Sequence, residues 1–384
     1  MKPALTSKSK LPQVGVTIFS QMSALAAEQD ALNLSQGFPD FEPHPELVER
    51  VAHHMRSGKN QYAPMQGVLA LREAISAKVT QLYGAIYDPV SEITITAGAT
   101  EAVFAAISAV VHPGDEVILV EPCYDAYRPI IQLNGGRPVA VKLTFPDYRM
   151  DWDEVRRAIS PATRLMILNS PHNPTGAVLS EADVRALREI VESSDIFLLS
   201  DEVYEHIIFD GLSHQSLTRF ADLAARSFVV SSFGKTYHNT GWKVGYCLAP
   251  EPLSREFQKI HQYLIFAVNT PVQHAFADIF HKPALYLELG DFYQAKRDLF
   301  QTLMAGSRFE LLACRGTYFQ MAAYSAISDE PDTQFARRLT TEHKVAAIPP
   351  SVFYHGGDDH RVLRFCFAKT DETLKAAAER LRRL

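Results

Sequence analysis

Between residues 93 and 248, short runs of β-branched and aliphatic residues alternate with amphipathic stretches of about ten residues, and this alternation constrains the fold more than any other feature. The runs fall at 93–96, 116–120, 137–142, 164–168, 196–200, 228–231 and 244–248. Helical spacing occupies most of the gaps, at 100–111, 124–134, 151–159, 180–192 and 216–224. Short apolar strands separated by helices predict an α/β fold, with a mostly parallel central sheet flanked by helices on both faces. Upstream, helices are expected at 20–29, 45–57 and 68–83, the last with Val68, Leu71, Ile75, Val79 and Leu82 spaced three or four apart. The segment LNLSQGFPDFEPHPE, dense in Gly and Pro, reads as an irregular connector. Beyond residue 250 the pattern changes to long helical stretches at 252–280 and 287–305, short strands near 309–322 and 361–366, and helices at 331–343 and 371–383. That mix predicts a smaller α+β domain, joined by the N-terminal arm. The expected division is a large domain over 46–284 and a discontinuous small domain over 1–45 and 285–384.

Composition removes several function classes. A net charge of −6 gives no basic excess for a nucleic-acid surface. No apolar run reaches the ~18 residues of a membrane span, and the N-terminal lysines precede no apolar core of a secretory signal. The four cysteines, Cys123, Cys247, Cys314 and Cys366, are scattered without a CxxC pair, as in a protein of a reducing cytoplasm. His355-Gly356-Gly357-Asp358-Asp359-His360 has no common metal-ligand spacing, so no metal site is expected.

Five elements carry chemistry. Gly234-Lys235-Thr236 tempts a phosphate-loop reading, but the position five before Gly234 is Val229 and the match fails. A lysine at a strand end can instead form a Schiff base once its amine is neutralised. Asp201 follows the apolar run FLLS, where α/β sheets place ligands; a buried acid there requires a cationic partner or hydrogen bonds. Read alone, Asp201 could equally cap a helix. Gly98-Ala99-Thr100, between a strand and a helix, makes an anion site of backbone N–H groups. Asn173-Pro174-Thr175-Gly176 follows another strand, and turn chemistry alone would explain it. Arg364, inside the apolar run VLRFCF, requires a partner, either a structural acid or a substrate carboxylate held bidentately.

Their joint order is more specific than any one of them. A small-residue turn, an aromatic after Glu-Pro (Tyr124), Asn-Pro-Thr-Gly, Asp-x-x-Tyr, Ser-x-x-Lys, a second lysine eight residues on and a late arginine resemble the class I/II aminotransferases of fold type I, which use pyridoxal 5'-phosphate. The resemblance runs from about Asn33 to the C-terminus. NLSQGFPDF, NQYAPMQG, GDEVILVEPCYDAY, SSFGKTYHNTGWKVGY and RFCFAK are most similar to two neighbouring groups, the bacterial methionine aminotransferases and the kynurenine–oxoglutarate/glutamine transaminase K enzymes.

The resemblance implies roles. Lys235 matches the lysine that carries the cofactor covalently and then moves the substrate Cα proton. Asp201 matches the acid that keeps the cofactor's ring nitrogen protonated. Tyr204 and Asn173 match donors to the ring oxygen, and Tyr124 the aromatic stacked on the ring. Ala99 and Thr100 match the phosphate turn, with Ser232 and Lys243 as further phosphate ligands. Tyr62 matches a tyrosine reaching the phosphate from a second copy, which implies a homodimer with shared sites. Arg364 matches the clamp on the substrate α-carboxylate, helped by Asn173 and the Gly37 backbone. Two departures from the kynurenine-type pattern stand out: Thr100 replaces an aromatic and Tyr124 a phenylalanine. Phe19 aligns with a pocket aromatic, with Phe38, Tyr62 and Phe353 as companions.

No second arginine for a dicarboxylate side chain stands out. The expected reaction is therefore transamination of methionine first, and of phenylalanine, tyrosine, leucine or glutamine, with a 2-oxo acid acceptor in a ping-pong cycle. Kynurenine–oxoglutarate transamination and cysteine-S-conjugate β-elimination are the alternatives, since all begin with Cα proton loss. A non-enzymatic sensor on the same fold is the remaining one; such proteins carry a helix-turn-helix module ahead of the domain, and only about 30 residues precede the family core here.

Overall fold

The structure, a computed structural model, describes residues 8–384. All seven expected runs form strands of one sheet, in the spatial order Ile93–Thr96, Gly245–Leu248, Ser227–Ser232, Phe197–Asp201, Thr163–Asn169, Glu116–Glu121 and Arg137–Lys142. Only Gly245–Leu248 runs against its neighbours. The carboxyl ends of the other six strands therefore share one edge, and residues just before Gly245 arrive at that same edge.

Period-two alternation sorts the strand residues between two cores. Ile118 and Val120, Met166 and Leu168, and Leu198 face one core with the helices Leu69–Tyr83, Glu181–Glu192 and Thr270–Ile279. Val117 and Leu119, Leu165 and Ile167, and Leu199 face the other, with Ala99–Val110, Tyr127–Leu133 and Glu251–Leu264. A third core gathers Met22 and Leu34 with residues from Leu289 to Leu381, and draws in Val203, Tyr204, Ile207 and Phe209 from the segment after Asp201. Its small antiparallel sheet orders Val362–Cys366, Phe319–Ala323 and Glu310–Leu311.

The structure departs from the sequence reading in three places. The stretch 252–280 is two helices, Glu251–Leu264 and Thr270–Ile279. Phe266 takes a left-handed φ of 69° between them, the Asn269 side chain caps the second, and Pro271 sits in its first turn. The stretch 216–224 likewise divides, into a 3-10 turn, Leu217–Arg219, and a single helical turn, Ala221–Ala224. The connector after residue 31 opens with a short strand, Leu32–Asn33, paired in parallel with Val345–Ala346. Two-residue strands leave no periodic signal, and this pairing spans most of the chain.

Candidate active site

The shared strand edge brings the chemistry-bearing residues together. Ala99, Thr100, Tyr124, Ser232 and Lys243 line one cavity. Asn173, Asp201, Tyr204 and Lys235 line it as well. At one end, the helix Ala99–Val110 points its first N–H groups inward. Gly98 precedes it at φ 80°, and a Cβ there would lie 3.2 Å from Lys243 Cε and Nζ. Gly245 permits the approach of strand and turn, since its Cβ would stand 2.7 Å from Ser231 O and 3.0 Å from Ala99 N. The resulting end is cationic, small-walled and rich in N–H donors, which suits a phosphate.

Asp201 ends its strand at the cavity floor and is buried. Its carboxylate accepts from Tyr127 Oη (2.6 Å) and from Val203 N–H (3.4 Å), neither of them charged. Burial pushes its pKa up to about 6 against the Tyr127 hydrogen bond. An acid so placed fits a protonated ring nitrogen. Lys235 stands on a single helical turn after Ser227–Ser232. Its amine donates to Gly37 O (3.1 Å) and lies 5.7 Å from the ring centres of both Tyr204 and Tyr318. Burial pulls its pKa down to about 8, and the charges of Arg364 and Lys243 act in the same direction. Burial also holds the Tyr204 phenol protonated, well above its usual range.

Arg364 is fully buried on the strand Val362–Cys366. Its Nη1 donates to Asn173 Oδ1 (2.8 Å) and its Nη2 to Ser35 O (2.9 Å), while Nε has no partner among the described residues. Both partners are neutral, and burial lowers its pKa to about 10. The guanidinium carbon sits 3.9 Å from the Phe319 ring centre, 5.3 Å from Phe19 and 5.9 Å from Phe353. A buried guanidinium without an acid, walled by aromatic rings, fits the carboxylate of an apolar amino acid.

Tyr127 and Asn169 are among the site residues missed in the sequence, as are Tyr318 and Phe319. Tyr127 lies three positions after Tyr124, a spacing that offered only a weak signal. Asn169, the last residue of its strand, donates through Nδ2 to Asp201 O (2.8 Å) and accepts from Asn173 N–H (2.8 Å). The chain Arg364–Asn173–Asn169–Asp201 thus ties the buried guanidinium to the cavity floor. The two departures noted in the sequence meet each other: Thr100 Oγ1 and Tyr124 Oη are 3.4 Å apart. Tyr62 lies outside the cavity, 81% exposed, its ring 5.1 Å from that of Phe266.

Residues 29–381 match the family model for aminotransferase class I and II. The chain is 54% identical to methionine aminotransferase of Escherichia coli (strain K12), over 99% of both chains. It is 34% identical to kynurenine–oxoglutarate transaminase of Dictyostelium discoideum, over 96% of this chain and 94% of that one. The crystal structure of YbdL from Escherichia coli, which identifies a methionine aminotransferase function, superposes with a TM-score of 0.97 at 54% identity, covering 99% of this chain and 100% of that one. With the family model matched over residues 29–381 and a relative 54% identical along nearly the whole chain, the protein belongs to the class I and II aminotransferases, enzymes that work with pyridoxal 5'-phosphate.

Proposed function

We propose that this enzyme transfers the amino group of methionine, and less selectively of phenylalanine, tyrosine, leucine and glutamine, to a 2-oxo acid in a ping-pong cycle. The observation that carries this reading is the buried, acid-free Arg364 beside Phe19, Phe319 and Phe353. Such a wall discriminates between similar apolar side chains by only about 1–3 kcal/mol per methylene, so a broad range of donors follows.

Bound pyridoxal phosphate supplies a carbonyl that takes up the amino group and a ring that withdraws electrons. The protein's residues do the rest. Ala99, Thr100, Ser232 and Lys243 hold the phosphate, joined by Tyr62 of a second copy in a homodimer. Tyr62 is exposed and outside its own cavity, which supports the shared site. Asp201 would keep the cofactor's ring nitrogen protonated, Tyr124 would pack on the ring, and Asn173 and Tyr204 would serve as donors to its ring oxygen. Arg364 and the Gly37 N–H hold the substrate carboxylate. With a pKa of about 8, Lys235 has a sizeable neutral fraction near neutral pH. Its amine would hold the cofactor covalently and, when free, would serve as the base for the substrate Cα proton.

The domain division 46–284 against 1–45 with 285–384 belongs to this proposal, supported by the separate core that collects the second set. So does a cytoplasmic location, supported by four buried free thiols. Kynurenine transamination and β-elimination from a substituted cysteine would use the same proton transfer.

The test is a half-reaction. Methionine alone should bleach the cofactor's visible band in the purified enzyme, and a 2-oxo acid should restore it. Lys235→Ala should lower the rate by about 10²–10⁴-fold. A band that methionine and the aromatic amino acids leave unchanged would refute the substrate class, and kynurenine and a β-substituted cysteine complete the panel.

A further inference from the structure

A strap, residues 34–40, passes Arg364 and Lys235, and it is pinned mostly by residues between Tyr318 and Thr370. Cys366 N–H donates to Leu34 O (2.8 Å) and Arg364 to Ser35 O (2.9 Å). Lys369 Nζ donates to Phe38 O (2.8 Å), and Thr370 N–H to Asp40 Oδ1 (2.6 Å). In the middle, the Gly37 carbonyl accepts two donors, Tyr318 Oη (2.5 Å) and Lys235 Nζ (3.1 Å). Tyr318 is fully buried, packed edge-on against Tyr204 with ring centres 5.2 Å apart. A Cβ at Gly37 would stand 2.8 Å from Phe319 Cζ, so the strap lies flat against the neighbouring rings.

The two donors differ in permanence. Lys235 must leave Gly37 O whenever its nitrogen is engaged in the reaction. The Tyr318 hydroxyl has no such task, and its ring is locked between Tyr204, Tyr293 and Phe319. We infer that Tyr318 is a positioning residue: by holding the Gly37 carbonyl it fixes the Gly37–Phe38 peptide, restrains the adjoining Gln36–Gly37 peptide whose N–H meets the substrate carboxylate, and keeps a resting acceptor in place for the free Lys235 amine. This rests on the transaminase reading above. Tyr318 touches the strap rather than the reacting atoms, so its effect falls on substrate binding more than on turnover.

Tyr318→Phe keeps the ring and removes only the hydroxyl, which preserves packing. In the holoenzyme, KM for methionine should rise about three- to tenfold, the worth of one hydrogen bond, with kcat within about twofold. Amide exchange of residues 36–38, measured without substrate, should speed up by a similar factor. Lys369→Met, which frees the next carbonyl along, should accelerate exchange in the same segment. An unchanged KM, a fall in kcat alone, or unaltered exchange at 36–38 in Tyr318→Phe would each overturn the proposal. Should the wild-type enzyme fail to act on methionine, the substrate reading falls, and the exchange comparison still judges Tyr318.

Discussion

Glu205 follows Tyr204 directly and is buried beneath the site, and replacing its cation should destabilise the enzyme in a pH-dependent way. Its carboxylate accepts from Lys78 Nζ (2.7 Å), Tyr83 Oη (2.6 Å), Ser231 Oγ (2.6 Å) and Tyr246 Oη (3.1 Å). The Lys78 and Glu205 side chains are 5% and 4% exposed. Burial alone would raise the Glu205 pKa, but Lys78 and the hydrogen bonds overcome it and hold the carboxyl far below its usual range. Lys78→Met keeps length and apolar volume and strands the charge. Breaking a buried pair costs about 3–5 kcal/mol; three neutral donors remain here, which places the cost near the lower figure. At ~2.1 cal/mol/K per residue over 384 residues, unfolding entropy is roughly 0.8 kcal/mol/K, so Tm should drop by about 4 °C at pH 8.

The sign with pH follows from linkage. In the wild type the depressed pKa gives stability that is present above about pH 4 and lost only as pH falls through the folded value. Without Lys78, burial dominates and the folded pKa lies above the unfolded one. The penalty is then absent below about pH 4 and grows as pH rises through the new pKa. Calorimetry of the holoenzyme at fixed cofactor and protein concentration should show the deficit shrinking from pH 8 to pH 5. Lys78→Met with Glu205→Gln should recover most of it. A deficit under about 1 °C, or one equal at both pH values, would refute the argument.

Two further predictions concern the site. Arg364→Lys replaces a bidentate fork with a point charge, so KM for methionine should rise about 10–100-fold in steady-state assays. In cofactor-free protein, the pKa of about 6 at Asp201 lies above its unfolded value, so its stabilising contribution is full below about pH 4 and is lost as pH rises through 6. Asp201→Asn should therefore gain about 2 kcal/mol relative to wild type between pH 4 and pH 7 in denaturant titrations, while losing activity.

What the sequence alone determined is local. The central strands of the sheet were visible because a strand buried on both faces is apolar along its length, and EVILVE or TRLMILN satisfies that within a few residues. The residue types at the strand ends were legible for the same reason: Asp201, Lys235 and Asn173 each follow such a run. Helix interruptions were less so, because Asn269 and Pro271 end one pattern and begin another with similar spacing. The tertiary structure alone decided how these groups act on one another. Tyr127 meets Asp201 across 74 residues of chain, Lys235 meets Gly37 across 198, and Arg364 meets Ser35 across 329. Contacts of that range leave no periodicity to read. The last two arise when the sheet edge and the third core close on each other, and burial at that junction shifts the pKa values of Asp201, Lys235 and Arg364.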